Sequence, residues 1–173
     1  NKYQKLFNLC SKLMLQIVEG NKPVIAKVHG AAYAAGCQLV ASCDLAYSTK
    51  DALFATPGVN IGLFCSTPMV AVSRKINKKP MMKMLLTGEP IKANFAKEIG
   101  LINDCFSKSK LNNEVLKIAK KIASKSNLTI KIGKRTFYKQ LEMPLRKAYA
   151  HTSKMMTVNM TVSYTHLTLP TSL

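Results

Sequence analysis

The most constraining stretch of this chain runs from Lys22 to Asp44. Lys22-Pro-Val-Ile-Ala-Lys-Val-His29 leads into Gly30-Ala-Ala-Tyr-Ala-Ala-Gly36, and then into Cys37-Gln-Leu-Val-Ala-Ser-Cys-Asp44. The first segment reads as a buried strand over 24–28, the second as a small-residue turn, and the third as an apolar helix over 36–43. A helix start leaves backbone N–H groups without intrahelical partners, and small residues there let another molecule approach the backbone. The only early polar side chain on this helix is the neutral Gln38. On the local pattern alone, a ligand-facing turn and mere close strand–helix packing are equally good readings.

Leu6, Leu9, Cys10, Leu13 and Ile17 recur at helical spacing, so an amphipathic helix is predicted over 3–19, ended by Gly20-Asn21. A second apolar run covers 45–48, and a short strand over 53–55 stops at Thr56-Pro57-Gly58. Ser66-Thr67-Pro68 reads as a helix start with proline in the first turn. Helices are predicted at about 69–76, 80–87 and 93–99, around Leu111–Ile122, and over 127–141 and 145–159. Strands lie early, helices gather late and no repeat is evident, which makes an α/β chain. Residues 161–173 hold no charged side chain apart from His166, after a body full of lysine. They read as a linker or read-through tail rather than part of the fold.

The length suits one domain or a large piece of one, and 47% hydrophobic residues are enough for a core. The formal net charge is +18, yet Arg74, Arg135 and Arg146 are the only arginines. Base readers favour arginine forks, whereas excess lysine gives a diffuse field attractive to any polyanion. Codon usage in an AT-rich genome explains the same excess equally well. The five cysteines contain no C-x-x-C pair, and with three scattered histidines they make no metal-ligand spacing. Reduced, mostly buried thiols are expected, with no metal. No apolar stretch is long enough to span a membrane. The chain opens without an initiator Met inside a helical pattern, so a missing leader carries no information.

The blocks "KPVIAKVHGAAYAAGCQLVASCDLAYS", "FATPGVNIGLF" and "LLTGEPIKANFAKEIGLIN" resemble, in order and spacing, the enoyl-CoA hydratase/isomerase (crotonase) family. The resemblance implies a spiral of stacked ββα turns with a helical C-terminal part. Residues 1–160 would form an incomplete domain lacking its N-terminal part, and 161–173 the tail. It also implies a CoA thioester as substrate or ligand, no separate cofactor, a homotrimer or hexamer when complete, and a mitochondrial matrix location. The family stabilises a thioester enolate with two backbone N–H groups. By resemblance one of them is the N–H of Ala35, with Gly30, Ala34 and Gly36 beside the substrate and Cys65, Ser66 and Thr67 lining the acyl pocket. The second donor belongs to an upstream loop that this chain does not contain.

Family hydratases work with two glutamates, whose positions here carry Gln38 and Gly58. A glutamine amide can hold water but cannot act as a base at neutral pH, and glycine offers no side chain. The resemblance therefore implies acyl-CoA binding with hydratase chemistry lost or altered. Two alternatives stay open, an active hydratase or isomerase with another acid–base group, sought first at Cys65–Thr67, and a lysine-rich RNA binder. Lys117, Lys120, Lys121 and Lys125 share a helical face, but a solvated face accounts for them better, so nucleic acid is not the expected partner. Asp44 and His29 are expected in structural hydrogen bonds, Asp51 and Glu89 as caps, and Tyr33 beside the turn.

Overall fold

The computed structural model describes residues 1–167, with side chains through 161, and divides into two compact units. The first comprises residues 1–18 and 23–122; the second takes in 19–22 and the chain from 123 onward.

In the first unit, α1 (Lys2–Glu19) forms where the three-and-four spacing places it. Its apolar stripe is only partly buried: Met14 is covered, while Leu6, Leu9 and Leu13 stay exposed. Two strands and a helix follow, β1 (Ile25–Val28), β2 (Ala31–Tyr33) and α2 (Ala35–Ser42). Another pair comes next, β3 (Leu45–Thr49) and β4 (Leu53–Ala55), then a 3-10 turn at Pro57–Ile61 and helices α3 (Ser66–Val72) and α4 (Lys78–Thr87). The short elements β5 (Ile91–Lys92), α5 (Ala93–Glu98) and β6 (Asp104–Phe106) lead into α6 (Lys108–Ala123).

These strands make two three-stranded sheets in the orders β1-β3-β6 and β2-β4-β5. In the first, parallel registers pair Ile25 with Leu45 and Tyr47 with Asp104. In the second, Ala31 lies parallel to Leu53 and Phe54 runs antiparallel to Ile91. The first strand of each early pair therefore joins one sheet and its successor joins the other, as the stacked ββα expectation requires. Phe54, Val72 and Ala93 are fully enclosed in the main core, with Met84, Leu85, Leu101 and Ile102 around them. A smaller cluster gathers Tyr47, Leu111 and Val115, with the Tyr47 and Phe106 rings 6.2 Å apart.

Four features differ from the sequence reading, and one matches it. The segment over 30–36 is not a bare turn, because Ala31–Tyr33 pairs with β4. Alanine has weak strand preference, so this pairing is imposed by the neighbouring strand rather than local propensity. Ile91–Lys92 and Asp104–Phe106 also pair as strands, too short to show a period. Asp44 holds the position expected of it, its Oδ2 accepting the Val24 N–H at 2.7 Å where β1 begins. His29, by contrast, is exposed and takes no side-chain hydrogen bond among the described residues. At Glu89 it is the backbone that bonds, donating to the Thr87 hydroxyl at 3.2 Å.

The second unit is a helix pair, α7 (Asn127–Leu141) and α8 (Leu145–Leu167). The Ser126 hydroxyl caps α7 by accepting the Thr129 N–H at 3.3 Å. Helix α8 continues to Leu167, and the rest of the expected tail, 168–173, lies outside the described residues. No helix among the described residues is long and apolar enough to cross a membrane.

Candidate functional site

The site begins where β2 hands over to α2. Ala34 donates its N–H to the Ala55 carbonyl of β4 at 2.9 Å, and its own carbonyl accepts the Gln38 N–H at 3.0 Å to open the helix. One residue thus ends the strand pairing and starts the helix. It does so at φ 48°, ψ −112°, and among the described residues it is the only non-glycine with positive φ. An L-residue there, in a region that favours glycine, carries about 1–3 kcal/mol of backbone strain. No side chain caps this helix start. Ala35, its first residue, is exposed, and its N–H sits at the positive end of the helix dipole. Such a start can hold a carbonyl oxygen that gains negative charge.

Behind this turn the chain is tightly filled. The Cys37 side chain is fully buried and its sulfur lies against the Ala55 backbone N–H. Burial, aided by the nearby Cys65, pushes its pKa up to about 12, so Cys37 stays a neutral thiol. Gln38 is only 3% exposed. The Cys10 thiol of α1 donates to its Oε1 at 3.7 Å.

Gly58, the other position singled out by the family resemblance, is closed off differently. Gly58 lies in the 3-10 turn after β4, and the chain folds back over it through Gly62, at φ 73°. The Gly58 carbonyl accepts the Leu63 N–H at 2.9 Å, while its own N–H donates to the Cys65 sulfur at 3.3 Å. A Cβ placed on Gly58 would collide with the Leu63 carbonyl oxygen, come within 2.9 Å of the Cys65 sulfur and 3.2 Å of the Leu63 carbonyl carbon. The first two separations are closer than real Cβ atoms tolerate, and the oxygen belongs to backbone that cannot swing aside. Glycine is therefore required at 58 for space, not for its φ.

The structure thus ties Ala34 and Cys37 to Ala55, and Gly58 to Cys65, which lies close enough to Cys37 to act on its thiol. Cys65 is buried and holds the Gly58 backbone. Ser66 is exposed, with its hydroxyl directed at the Phe64 carbonyl 3.4 Å away, and Thr67 is half-buried. A Cβ placed on Gly36 would lie 4.0 Å from the Ala32 methyl, an ordinary contact, whereas one on Gly30 would meet open space. Tyr33 is 40% exposed beside the turn. Sequence reasoning missed Thr56, whose hydroxyl is fully buried with no hydrogen-bond partner among the described residues. Nothing in the Thr-Pro-Gly pattern signals this burial. No cluster of three metal-ligating side chains occurs among the described residues.

Residues 1–166 match the model of the family described as enoyl-CoA hydratase/isomerase. Over 158 residues the chain is 49% identical to the human protein named "Enoyl-CoA hydratase domain-containing protein 3, mitochondrial", covering 91% of this chain and 52% of that one. The chain therefore spans about half the length of that relative. It superposes on a crystal structure of an enoyl-CoA hydratase from Mycobacterium smegmatis with TM-score 0.91 and 47% identity, covering 92% of this chain and 62% of the other. The crystal structure of human enoyl coenzyme A hydratase domain-containing protein 3 gives TM-score 0.90 at 49% identity, covering 92% and 63%. Strand-pair topology, the β2–α2 turn and these matches agree: the chain has the crotonase fold and belongs to the enoyl-CoA hydratase/isomerase family.

Proposed function

We propose that this chain is part of an acyl-CoA-binding member of the family that has kept the oxyanion turn and lost the two-glutamate hydration chemistry. The observation that carries the reading is the collision at Gly58. A side chain there meets the Leu63 backbone and the Cys65 sulfur, so the position is rebuilt around glycine rather than merely emptied. At the first position, the Gln38 amide is buried and its carbonyl accepts from Cys10. An amide so held can orient a thioester or a water but cannot exchange a proton with either.

In this reading the Ala35 N–H meets the thioester oxygen, and a second donor comes from chain beyond this sequence. Alanine serves as well as glycine because the donor is backbone. Cys65, Ser66 and Thr67 lie along the acyl side, with Cys65 acting as a spacer rather than a nucleophile. The ligand is a CoA thioester, with no further cofactor. The mitochondrial names of the relatives support a mitochondrial location, and the family resemblance a homotrimer or hexamer.

The test is crotonyl-CoA hydration by the complete native protein, with acyl-CoA binding measured on the same sample. Loss of each acid–base group costs about two to four powers of ten. The expected result is binding with turnover reduced at least that far below a two-glutamate relative. Turnover at ordinary rates would overturn the reading and point to an acid–base group other than Gln38 and Gly58.

A further inference from the structure

Helix α4 buries one face and leaves the other uncovered. Met81, Met84 and Leu85 enter the main core. On the outer side Lys78, Met82 and Leu86 follow one another at four-residue spacing, with Lys79 and Lys83 in the adjoining row. All five are exposed, Met82 by 45% and Leu86 by 61%. The helix packs against the 3-10 turn at Pro57–Ile61, where a Cβ on Gly88 would meet the side chains of Asn60 and Val59. Ile61, which ends that turn, is 81% exposed and adds to the apolar surface.

The charge of this stretch is one-sided. No acidic residue occurs between Asp51 and Glu89, while Arg74, Lys78, Lys79 and Lys83 are all exposed. Lys78 and Lys79 occupy the first turn of α4, where cations oppose the helix dipole, and Asn77 provides no side-chain cap. A helix serving packing alone would gain from acidic residues there. Aliphatic side chains flanked by lysines fit the boundary of a bilayer. There the apolar groups leave water while the ammonium groups reach back to lipid headgroups. A second copy fits worse, because a two-fold contact through this face would set its lysines against themselves. Single-stranded nucleic acid would match the charge, but this face of α4 has no aromatic ring on which a base could stack.

We propose that this face docks the protein on an anionic bilayer, with Met82 and Leu86 entering the headgroup boundary and Lys78, Lys79 and Lys83 pairing with lipid phosphates and carboxylates. Attraction of the lysines brings the helix to the surface and is weakened by salt, and burial of the two apolar side chains then holds it there. The docking does not rest on the proposed acyl-CoA reading.

The test is co-sedimentation of the complete native protein with vesicles of phosphatidylcholine alone and of an equal mixture of phosphatidylcholine and phosphatidylserine. Binding is expected to the mixed vesicles only, and to weaken as salt rises. Lys78→Glu/Lys79→Glu/Lys83→Glu should weaken it at least about tenfold. Net positive charge alone draws a protein towards any anionic surface, so the control is Lys110→Glu/Lys117→Glu/Lys120→Glu on α6, three positions that are likewise exposed. That control should change binding less than about threefold. Met82→Ser/Leu86→Ser leaves the charge unaltered and should weaken binding several-fold. Equal losses from the α4 and α6 reversals, binding indifferent to Met82→Ser/Leu86→Ser, or equal binding to neutral vesicles would each overturn the proposal. So would conversion of an oligomer to a smaller species by Met82→Ser/Leu86→Ser, which would show that a second copy covers this face. If the α4 reversal abolishes binding to single-stranded RNA and leaves vesicle binding unchanged, the face serves nucleic acid and the proposal falls.

Discussion

The two halves of the candidate site diverge in how they are built. In the proposed reading the groups that work around Ala34 and Ala35 are backbone, and the side chains only have to be small. At Gln38 and Gly58 hydration chemistry of the proposed kind would need acidic side chains, and one is an amide while the other is absent. The turn at 34–36 keeps its hydrogen bonds to Ala55 and Gln38 despite alanine at a positive φ. The Gly58 turn has instead closed over the missing side chain, with Leu63 and Cys65 in its place. A backbone device survives substitution at the cost of some strain. A side-chain device, once lost, lets its surroundings collapse into the space.

The sharpest way to break this contrast is Gly58→Glu. If the position were merely empty, the variant would fold normally and recover some acid–base chemistry. The geometry predicts the opposite, because the new side chain must displace backbone as well as the Cys65 sulfur. Overpacking a filled site costs about 1–3 kcal/mol and sometimes more, and a backbone collision belongs at the upper end. Equilibrium urea unfolding of Gly58→Glu against the parent checks this. Equal stability would show that the 58–65 loop yields, and the argument from closure would fail.

Gln38→Glu probes the other side-chain position and has a smaller, pH-dependent cost. Gln38 is 3% exposed, so a glutamate there is desolvated and its folded-state pKa rises above its unfolded value near 4.3. The folded state then holds the proton longer than the unfolded state. Stability relative to the parent is thus expected to be intact below the unfolded pKa and to fall as pH rises towards the folded pKa. Unfolding of the variant and parent should match near pH 4 and differ by roughly 1–3 kcal/mol at pH 7. A difference that does not grow with pH would mean that the site solvates the carboxylate after all. Position 38 would then be open to acid–base chemistry in a way that position 58 is not.

Much of this architecture was legible in the residues. Helices α1, α2, α6 and α7 and strand β4 follow from periodicity and turn residues, since each carries its own spacing or punctuation. The family was legible in ordered motifs rather than local patterns, and the proposed roles of Ala35, Gln38 and Gly58 rest on those same motifs. What stayed hidden depended on distant partners. Strand β2 is made by pairing with β4, and β6 by pairing with β3. The buried hydroxyl of Thr56 and the closure of the loop over Gly58 are tertiary facts with no local signature. The same holds for the exposed stripe of α1: spacing announces a helix but not what covers it.

The smallest expected effect bears on the backbone half of the comparison. Ala34 is partly buried against the main core, so its methyl group contributes some packing while its φ of 48° is strained. Ala34→Gly removes both. Relief of that backbone strain is worth about 1–3 kcal/mol. The added flexibility of the unfolded chain and the lost methyl contact take back part of that. A net gain of about 0.5–1 kcal/mol is expected, which for a chain of this size raises Tm by roughly 1–4 °C. Neither the Ala34–Ala55 bond nor the Ala35 N–H depends on a side chain, so acyl-CoA affinity should not move with stability. A thermal melt and a binding isotherm on the same variant separate the two. Higher Tm with unchanged affinity supports a backbone device that tolerates alanine at the expense of strain. If Tm falls, the Ala34 methyl is a packing element, and alanine is held at this turn by the core rather than merely tolerated by the site.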